Sequence, residues 1–183
     1  MVFGIIPERR SGSLRNKRSA SPESPSSSYM GASTSTEAGS GVSGSSFSYP
    51  AFLRFQREAQ SFEEIFASAP SPSRISLSLD NGFSELARAL MVSANYFRGI
   101  GTSAAVGRVL VLEDENESTR QPVAVLNHAF WKTRFSSDPR IIGMALRVNG
   151  TACTIVGVTA EGFRGIDPAQ EPDILFLYGC SLK

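Results

Sequence analysis

Past residue 46 the apolar positions fall into short periodic runs. Phe52, Phe55, Ala59 and Phe62 recur at spacings of three, four and three, the stripe of one helix face. Phe47-Ser48-Tyr49-Pro50 leads into it, and Pro50 suits a first helical turn, where its missing N–H would have no partner. Ser61-Phe62-Glu63-Glu64 has capping-box spacing and predicts a second short helical turn. Pro70 and Pro72 stop helix there. Ile75, Leu77 and Leu79 then alternate with Ser76 and Ser78, which predicts a half-buried strand over 74–80. Asn81-Gly82 predicts a hairpin turn, with 83–92 as the returning strand. Ser93 predicts the cap of a short helix over 94–98, ended by Gly99.

The second half repeats this vocabulary. Residues 122–126 form a short apolar run, a buried strand. Asn127 caps a helix running to about Phe135, and Asp138-Pro139 opens one more turn, closed by Gly143. Residues 145–148 and 151–158 flank Asn149-Gly150, the strongest hairpin signal in the chain. Residues 173–177 predict a last strand. About six strands and three or four short helices, joined by hairpins and not by regular βαβ repeats, predict an α+β fold with a mixed or antiparallel sheet.

Composition changes the picture at the N-terminal side. Residues 11–46 hold fourteen Ser and five Gly, with Tyr29 the one aromatic. Such a stretch buries too little apolar surface to offset its chain entropy, so residues 1–46 are expected to be a disordered arm and residues 47–183 the folded domain. Arg9, Arg10, Arg15, Lys17 and Arg18 give that arm a net charge of +2, read as a solvated tail. The apolar stretch Val2 to Ile6 is short, ends at Pro7 and precedes its positive charges, which excludes a signal peptide. No apolar run approaches the roughly 18 residues of a membrane helix. The whole chain of 183 residues carries a net charge of +1, no footprint for nucleic acid.

Candidate chemistry is sparse. His128 is the one histidine, and no G-x-S-x-G nucleophile elbow accompanies it. Gly99-Ile100-Gly101 follows a predicted helix where a phosphate loop would follow a strand, and Gly107 stands too far off to complete it. Glu113, Asp114, Glu115 and Glu117 lack EF-hand spacing and are read as a solvated acidic turn. Cys153 is expected to be a small buried hydrophobe; its pairing with Cys180 stays open. No catalytic, metal or cofactor constellation emerges from composition and spacing.

An ordered set of motifs says more. Phe47-Ser48-Tyr49-Pro50, Ser61-Phe62-Glu63-Glu64-Ile65 and Val92-Ser93-Ala94-Asn95-Tyr96-Phe97 are followed by Gly107-Arg108, the 122–126 run, and Phe130-Trp131 ahead of Phe135. Then come Asp138-Pro139-Arg140-Ile141-Ile142-Gly143, Leu146-Arg147-Val148-Asn149-Gly150 and Thr154-Ile155-Val156-Gly157-Val158. Gly162-Phe163-Arg164-Gly165 and Pro172-Asp173-Ile174 complete the set. Over about residues 47–178 the chain resembles the MacB-like periplasmic core domain. Its best match is to the duplicated orphan permeases first noted in acidobacteria, a branch of the MacB/FtsX-type ABC transporter permeases.

The resemblance implies a domain at the periplasmic face of the cell membrane, between the first two membrane helices of a permease. It implies a second permease copy, a separate cytoplasmic ATPase, and mechanotransmission of ATP-driven movement into the domain. It implies no bond chemistry, no cofactor and no nucleic-acid partner. Its motif residues, Asn95, Tyr96, Phe97, Gly107, Arg108, Trp131, Asp138, Pro139, Gly143, Asn149, Gly150 and Gly157, are expected to be structural. Tyr96, Phe97, Phe130, Trp131 and Phe135 are expected core aromatics. No substrate-binding residue carries over. The chain departs from the family at both ends, with a Ser-rich arm where the family has a membrane helix and a stop at Lys183. That predicts a fragment, an incorrectly assigned start or a degenerate gene, with the domain cut short at its C-terminal end. The competing readings are a free-standing binding module and a small hydrolase built on His128.

Overall fold

The strand predicted over 151–158 is the axis of the fold. In the computed structural model, which describes residues 2–7, 28–29, 47–59, 62–78, 84–115 and 122–179, it spans Thr151–Thr159 and has three strand neighbours. In chain order the strands are β1 (Val2–Pro7), β2 (Ser28–Tyr29), β3 (Phe62–Ser68), β4 (Ser73–Ser78), β5 (Ser84–Val92), β6 (Ala104–Gly107), β7 (Val123–Leu126), β8 (Ala145–Val148), β9 (Thr151–Thr159) and β10 (Ile174–Leu177). The helices are α1 (Tyr49–Glu58), α2 (Tyr96–Gly99) and α3 (His128–Arg134). Short 3-10 turns at Leu112–Glu115, Pro139–Ile141 and Pro168–Gln170 fill the connections.

Six of these strands close on themselves. β4 pairs with β5, β5 with β10, β10 with β7, β7 with β9, β9 with β8, and β8 returns to β4. The β5–β10 and β7–β9 pairs are parallel and the others antiparallel, so the sheet is mixed and the fold α+β. Ring closure leaves few open edges. Alternate residues of all six strands form one core, with Leu77, Ala89, Leu126, Leu146, Ile155 and Phe176 among them, and α3 adds Phe130 and Trp131. The other faces of β5, β7 and β10 bury Val92, Val125 and Leu175 against Phe66, Tyr96 and Phe97. Burial on both faces explains why β7 and β10 read as continuous apolar runs.

β3 leaves this ring and forms a flank with β1 and β2. β1 pairs antiparallel with β3 from Val2 opposite Ser68 to Pro7 opposite Phe62, and β2 pairs with β1. α1 covers β3: Phe52 packs with Ile65 and Ala67. Its first turn follows the sequence reading, with Pro50 near the start and Ser48 accepting from the Ala51 N–H.

Several expectations need correcting. The capping-box turn over Ser61-Phe62-Glu63-Glu64 is instead the start of β3. Ile65 and Ala67 face α1 while Phe66 faces Tyr96, so successive residues must bury on opposite sides, which a strand permits and a helical turn does not. Phe52 alone of the predicted helical stripe is fully buried; Phe55 is exposed, and Phe62 belongs to β3. The expectation of an unstructured arm differs from the structure at two places, Val2–Pro7 and Ser28–Tyr29, where backbone pairing to β3 and within the flank satisfies the chain. Ser93 does not cap α2; the helix starts after Asn95. α2 does end at Gly99, its last residue, and the left-handed residue beyond it is Gly101, at φ 69°. β6 has no counterpart in the sequence reading. The Asn81-Gly82 turn, Leu79 and Cys180 lie outside the described residues.

Other elements stand where periodicity puts them. Asn149 and Gly150 take φ 48° and 85° in the turn between β8 and β9. Asn127 accepts from the Ala129 N–H to start α3, and Asp138 accepts from the Arg140 N–H ahead of Pro139. Cys153 is buried in the ring core.

Candidate functional site

The ring and the flank meet along a narrow joint. β3 and β5 share one register pair, Ser68 with Val92. The backbone continues it on each side through Ala69 N–H to Met91 O at 2.7 Å and Ser93 N–H to Ala67 O at 2.8 Å. Val2 stands opposite Ser68, and Leu177 opposite Val92. Val2, Ser68, Val92 and Leu177 therefore form a single row across β1, β3, β5 and β10. Next to this row Tyr178 stacks on Tyr49 of α1, with ring centroids 5.0 Å apart. Burial pushes the Tyr178 phenol pKa up.

Beyond the row, toward Phe62, side chains replace strand pairing. The Ser93 hydroxyl accepts from the Ala67 N–H at 2.9 Å and donates to Asn95 Oδ1 at 2.7 Å. Asn95 Nδ2 donates to the Ile65 carbonyl at 2.9 Å and to Glu64 Oε1 at 2.8 Å. Arg98 Nε and Nη2 donate to the same carboxylate, the shortest at 2.6 Å. Hydrogen bonding to Glu64 holds the Arg98 guanidinium pKa above its ordinary value. Asn95 and Ser93 are buried, so each needs these partners.

A second cluster surrounds the β6–β9 crossing. Gly107 pairs with Gly157, and the Arg108 N–H donates to the Val156 carbonyl at 2.9 Å. Arg108 then grips Asp114 with two nitrogens at 2.6 and 2.7 Å. Partial burial works against the Asp114 carboxylate, but the bonds from Arg108 and the Val111 N–H outweigh it and hold the carboxyl below its usual range. The acidic segment is solvated only in part: Glu113 is exposed, Asp114 is sequestered, Glu115 accepts from the Ala94 N–H, and Glu117 lies outside the described residues. Among the described residues no group of His, Cys, Asp and Glu is placed to hold a metal ion.

The profile of the MacB-like periplasmic core domain matches residues 12–177. The chain belongs to that family.

Two solved transporter and permease domains show the same fold. The extracellular domain of the ABC-type transporter YknZ from Gram-positive bacteria is similar at 11% identity and a TM-score of 0.53, over 69% of this chain and 60% of that one. A domain assigned to a permease protein from Porphyromonas gingivalis gives 14% identity and 0.50, over 68% and 54%. The periplasmic region of MacB from Actinobacillus actinomycetemcomitans gives 21% identity and 0.48, over 61% and 47%. The chain thus spans about half to three fifths of the chains it resembles. No curated protein sequence matches it. No helix among the described residues is long and apolar enough to cross a membrane.

Within this MacB-like domain the motif residues separate into four places. Asn95 lies in the joint, and Tyr96 and Phe97 are fully buried beside it. Gly107, Arg108 and Gly157 meet at the β6–β9 crossing. Trp131, Asp138 and Pro139 meet after α3, where the indole N–H donates to the Asp138 carbonyl at 2.9 Å; the Gly143 N–H donates to Ile155 O at 2.7 Å. Asn149 and Gly150 form the turn against β4. His128, at the start of α3, packs its ring edge-on to Trp131 at 5.5 Å and donates its backbone N–H to Thr159.

Sequence reasoning missed Glu64 and Arg98 as a pair, and Ser93 as a bridge. They lie far apart in the chain or carry local signals for helix starts, so no linear pattern joins them. A groove of about 340 Å³ lies beside the joint, lined by Asn95, Arg98, Thr102, Leu110 and Glu113. A second, of about 200 Å³, lies between Pro70, Pro72 and the Arg164–Asp167 segment.

Proposed function

We propose that this MacB-like domain works as the extracytoplasmic part of an ABC transporter permease. It carries out no bond chemistry and passes ATP-driven movement of membrane helices to periplasmic partners or substrates. The permease would act as two copies with a separate cytoplasmic ATPase. Residues 47–183 would be the working domain, with Val2–Pro7 of the preceding arm paired to it as β1.

The observation that carries this reading is the row Val2, Ser68, Val92, Leu177. Three inter-strand steps put its ends about 14 Å apart. The first residue of β1 and the last residue of β10 thus stand in the same row. Two neighbouring membrane helices can hold a domain at such a pair of points. Relative movement of those helices would then act on the row directly. Family membership over residues 12–177 supports the same reading.

Fractionation of source cells tests it. An antibody to residues 84–179 should find the protein in the cell-membrane fraction, cleavable by protease added outside spheroplasts. Detergent extracts should yield it together with an ATPase subunit. Recovery in a soluble fraction, with no ATPase retained, would replace this reading by a free-standing binding module.

A further inference from the structure

We infer that the joint between flank and ring is a latched hinge. The Ser68–Val92 pair is its axis, and Ser93, Asn95, Glu64 and Arg98 are its latch.

β4 and β5 share a register of six pairs, and so do β1 and β3; β3 and β5 share one. By strand pairing the ring and the flank are therefore better knitted within themselves than to each other, and the Phe66 side chain of β3 plugs into the core on the ring side. Among the described residues, no strand lies on the ring side of the remaining length of β3. Its Ile65 carbonyl and Ala67 N–H are satisfied by Asn95 and Ser93, side chains that belong to the segment leaving β5. Glu64 on the flank and Arg98 on α2 close the same gap from outside. Tyr178 stacked on Tyr49 sits beside the axis, where a rotation displaces it least.

A displacement of β1 relative to β10 loads the joint before it loads the ring, whose closure distributes strain over six strands. The latch is built of side-chain bonds that can break singly. Its outer member is also salt-sensitive, because the Arg98 side chain is 68% exposed while that of Glu64 is 11% exposed. Opening therefore separates Glu64 and Asn95 first and frees the ring-facing edge of β3, with its pairing to β1 and the ring left intact. This inference concerns the joint alone and stands or falls independently of the transport reading.

Hydrogen exchange on the full 183-residue chain decides it. In the wild type the Ala67 amide, which faces the joint, should exchange at least tenfold faster than those of Leu146, Val148, Ile155 and Val158. Asn95→Ala should speed the Ala67 amide a further tenfold or more and leave the ring amides unchanged. Arg98→Ala, and salt at about 1 M on the wild type, should each speed Ala67 exchange several-fold. These two measurements decide the matter should Asn95→Ala fail to fold. Equal acceleration of ring and flank would mean one cooperative unit and overturn the hinge. Unchanged Ala67 exchange in Arg98→Ala and in salt would overturn the latch.

Discussion

The carbonyl oxygen of Arg108 occupies the space where a side chain on Gly157 would begin. Two features of β9 create this contact. Ala124 pairs with Ile155 but Val125 pairs with Gly157, so Val156 is an extra residue in the ladder. Gly107, at φ 70°, turns the end of β6 across the bulge, and the Arg108 N–H closes on the Val156 carbonyl. The obstacle at Gly157 is backbone, which cannot rotate away as a side chain does. Gly157→Ala is expected to cost about 3 kcal/mol or more of folding stability. Gly101→Ala meets open space and should cost only about 1 kcal/mol, from its positive φ. Urea unfolding of both variants checks the contrast; equal midpoints would refute the crossing.

Asn149 does more than allow a tight turn. Its Oδ1 accepts from the Ser76 N–H at 2.9 Å and its own N–H donates to the Ser76 carbonyl at 2.9 Å. The turn thus extends β8 along β4, where the strands themselves share only two register pairs. Asn149→Gly keeps the backbone and loses one bond, about 1 kcal/mol. Asn149→Ala loses the bond and strains φ, about 2 kcal/mol in all. Equilibrium unfolding of the two variants should show that order, and the reverse order would count against it.

Gly99 lies under the ring of Phe66, with no room for a methyl group. Gly99→Ala should therefore destabilise by about 2 kcal/mol. Combining it with Phe66→Leu should cost less than the sum of the two single changes, since the smaller side chain vacates the contested space. A double-mutant cycle by thermal unfolding measures this; strict additivity would show that the two residues do not compete.

Asp114 makes stability depend on pH in the acid range. Its folded-state pKa lies below the unfolded value of about 3.9, so its contribution is complete above that value and declines as pH falls through the folded pKa. Asp138, exposed and bonded to Arg140, has a pKa shifted the same way. Asp114→Asn should lower stability at pH 7 and flatten its loss below about pH 4. Thermal melts at a series of pH values provide the measurement. An unaltered acid slope in the variant would assign the effect elsewhere.

Local chemistry made much of the fold legible. The Asn149-Gly150 turn, the Asn127 and Asp138 caps and the 74–78 alternation depend on neighbours within a few residues, and they appear in the structure as read. β3 was not legible, because Ser61-Phe62-Glu63-Glu64 carries a helix-start spacing that long-range burial overrides. Ser93 misled for a similar reason. Its hydroxyl has a local role available, and Ala67, 26 residues away, takes it instead. The candidate site was half legible: Asn95 stands in a recognisable motif, while Glu64 and Arg98 meet only after β3 and β5 converge.

The chain's own pattern determined its class, its turns, its buried apolar strands and, through ordered motifs, its family. Those features follow from backbone preferences and periodic burial, both written in adjacent residues. The tertiary structure alone decided that six strands close into a ring, that β1 docks on β3, and that Val2 and Leu177 end in one row. Strand partners and register arise from pairings across tens of residues. No local preference encodes those pairings, and only the joint burial of both faces selects them.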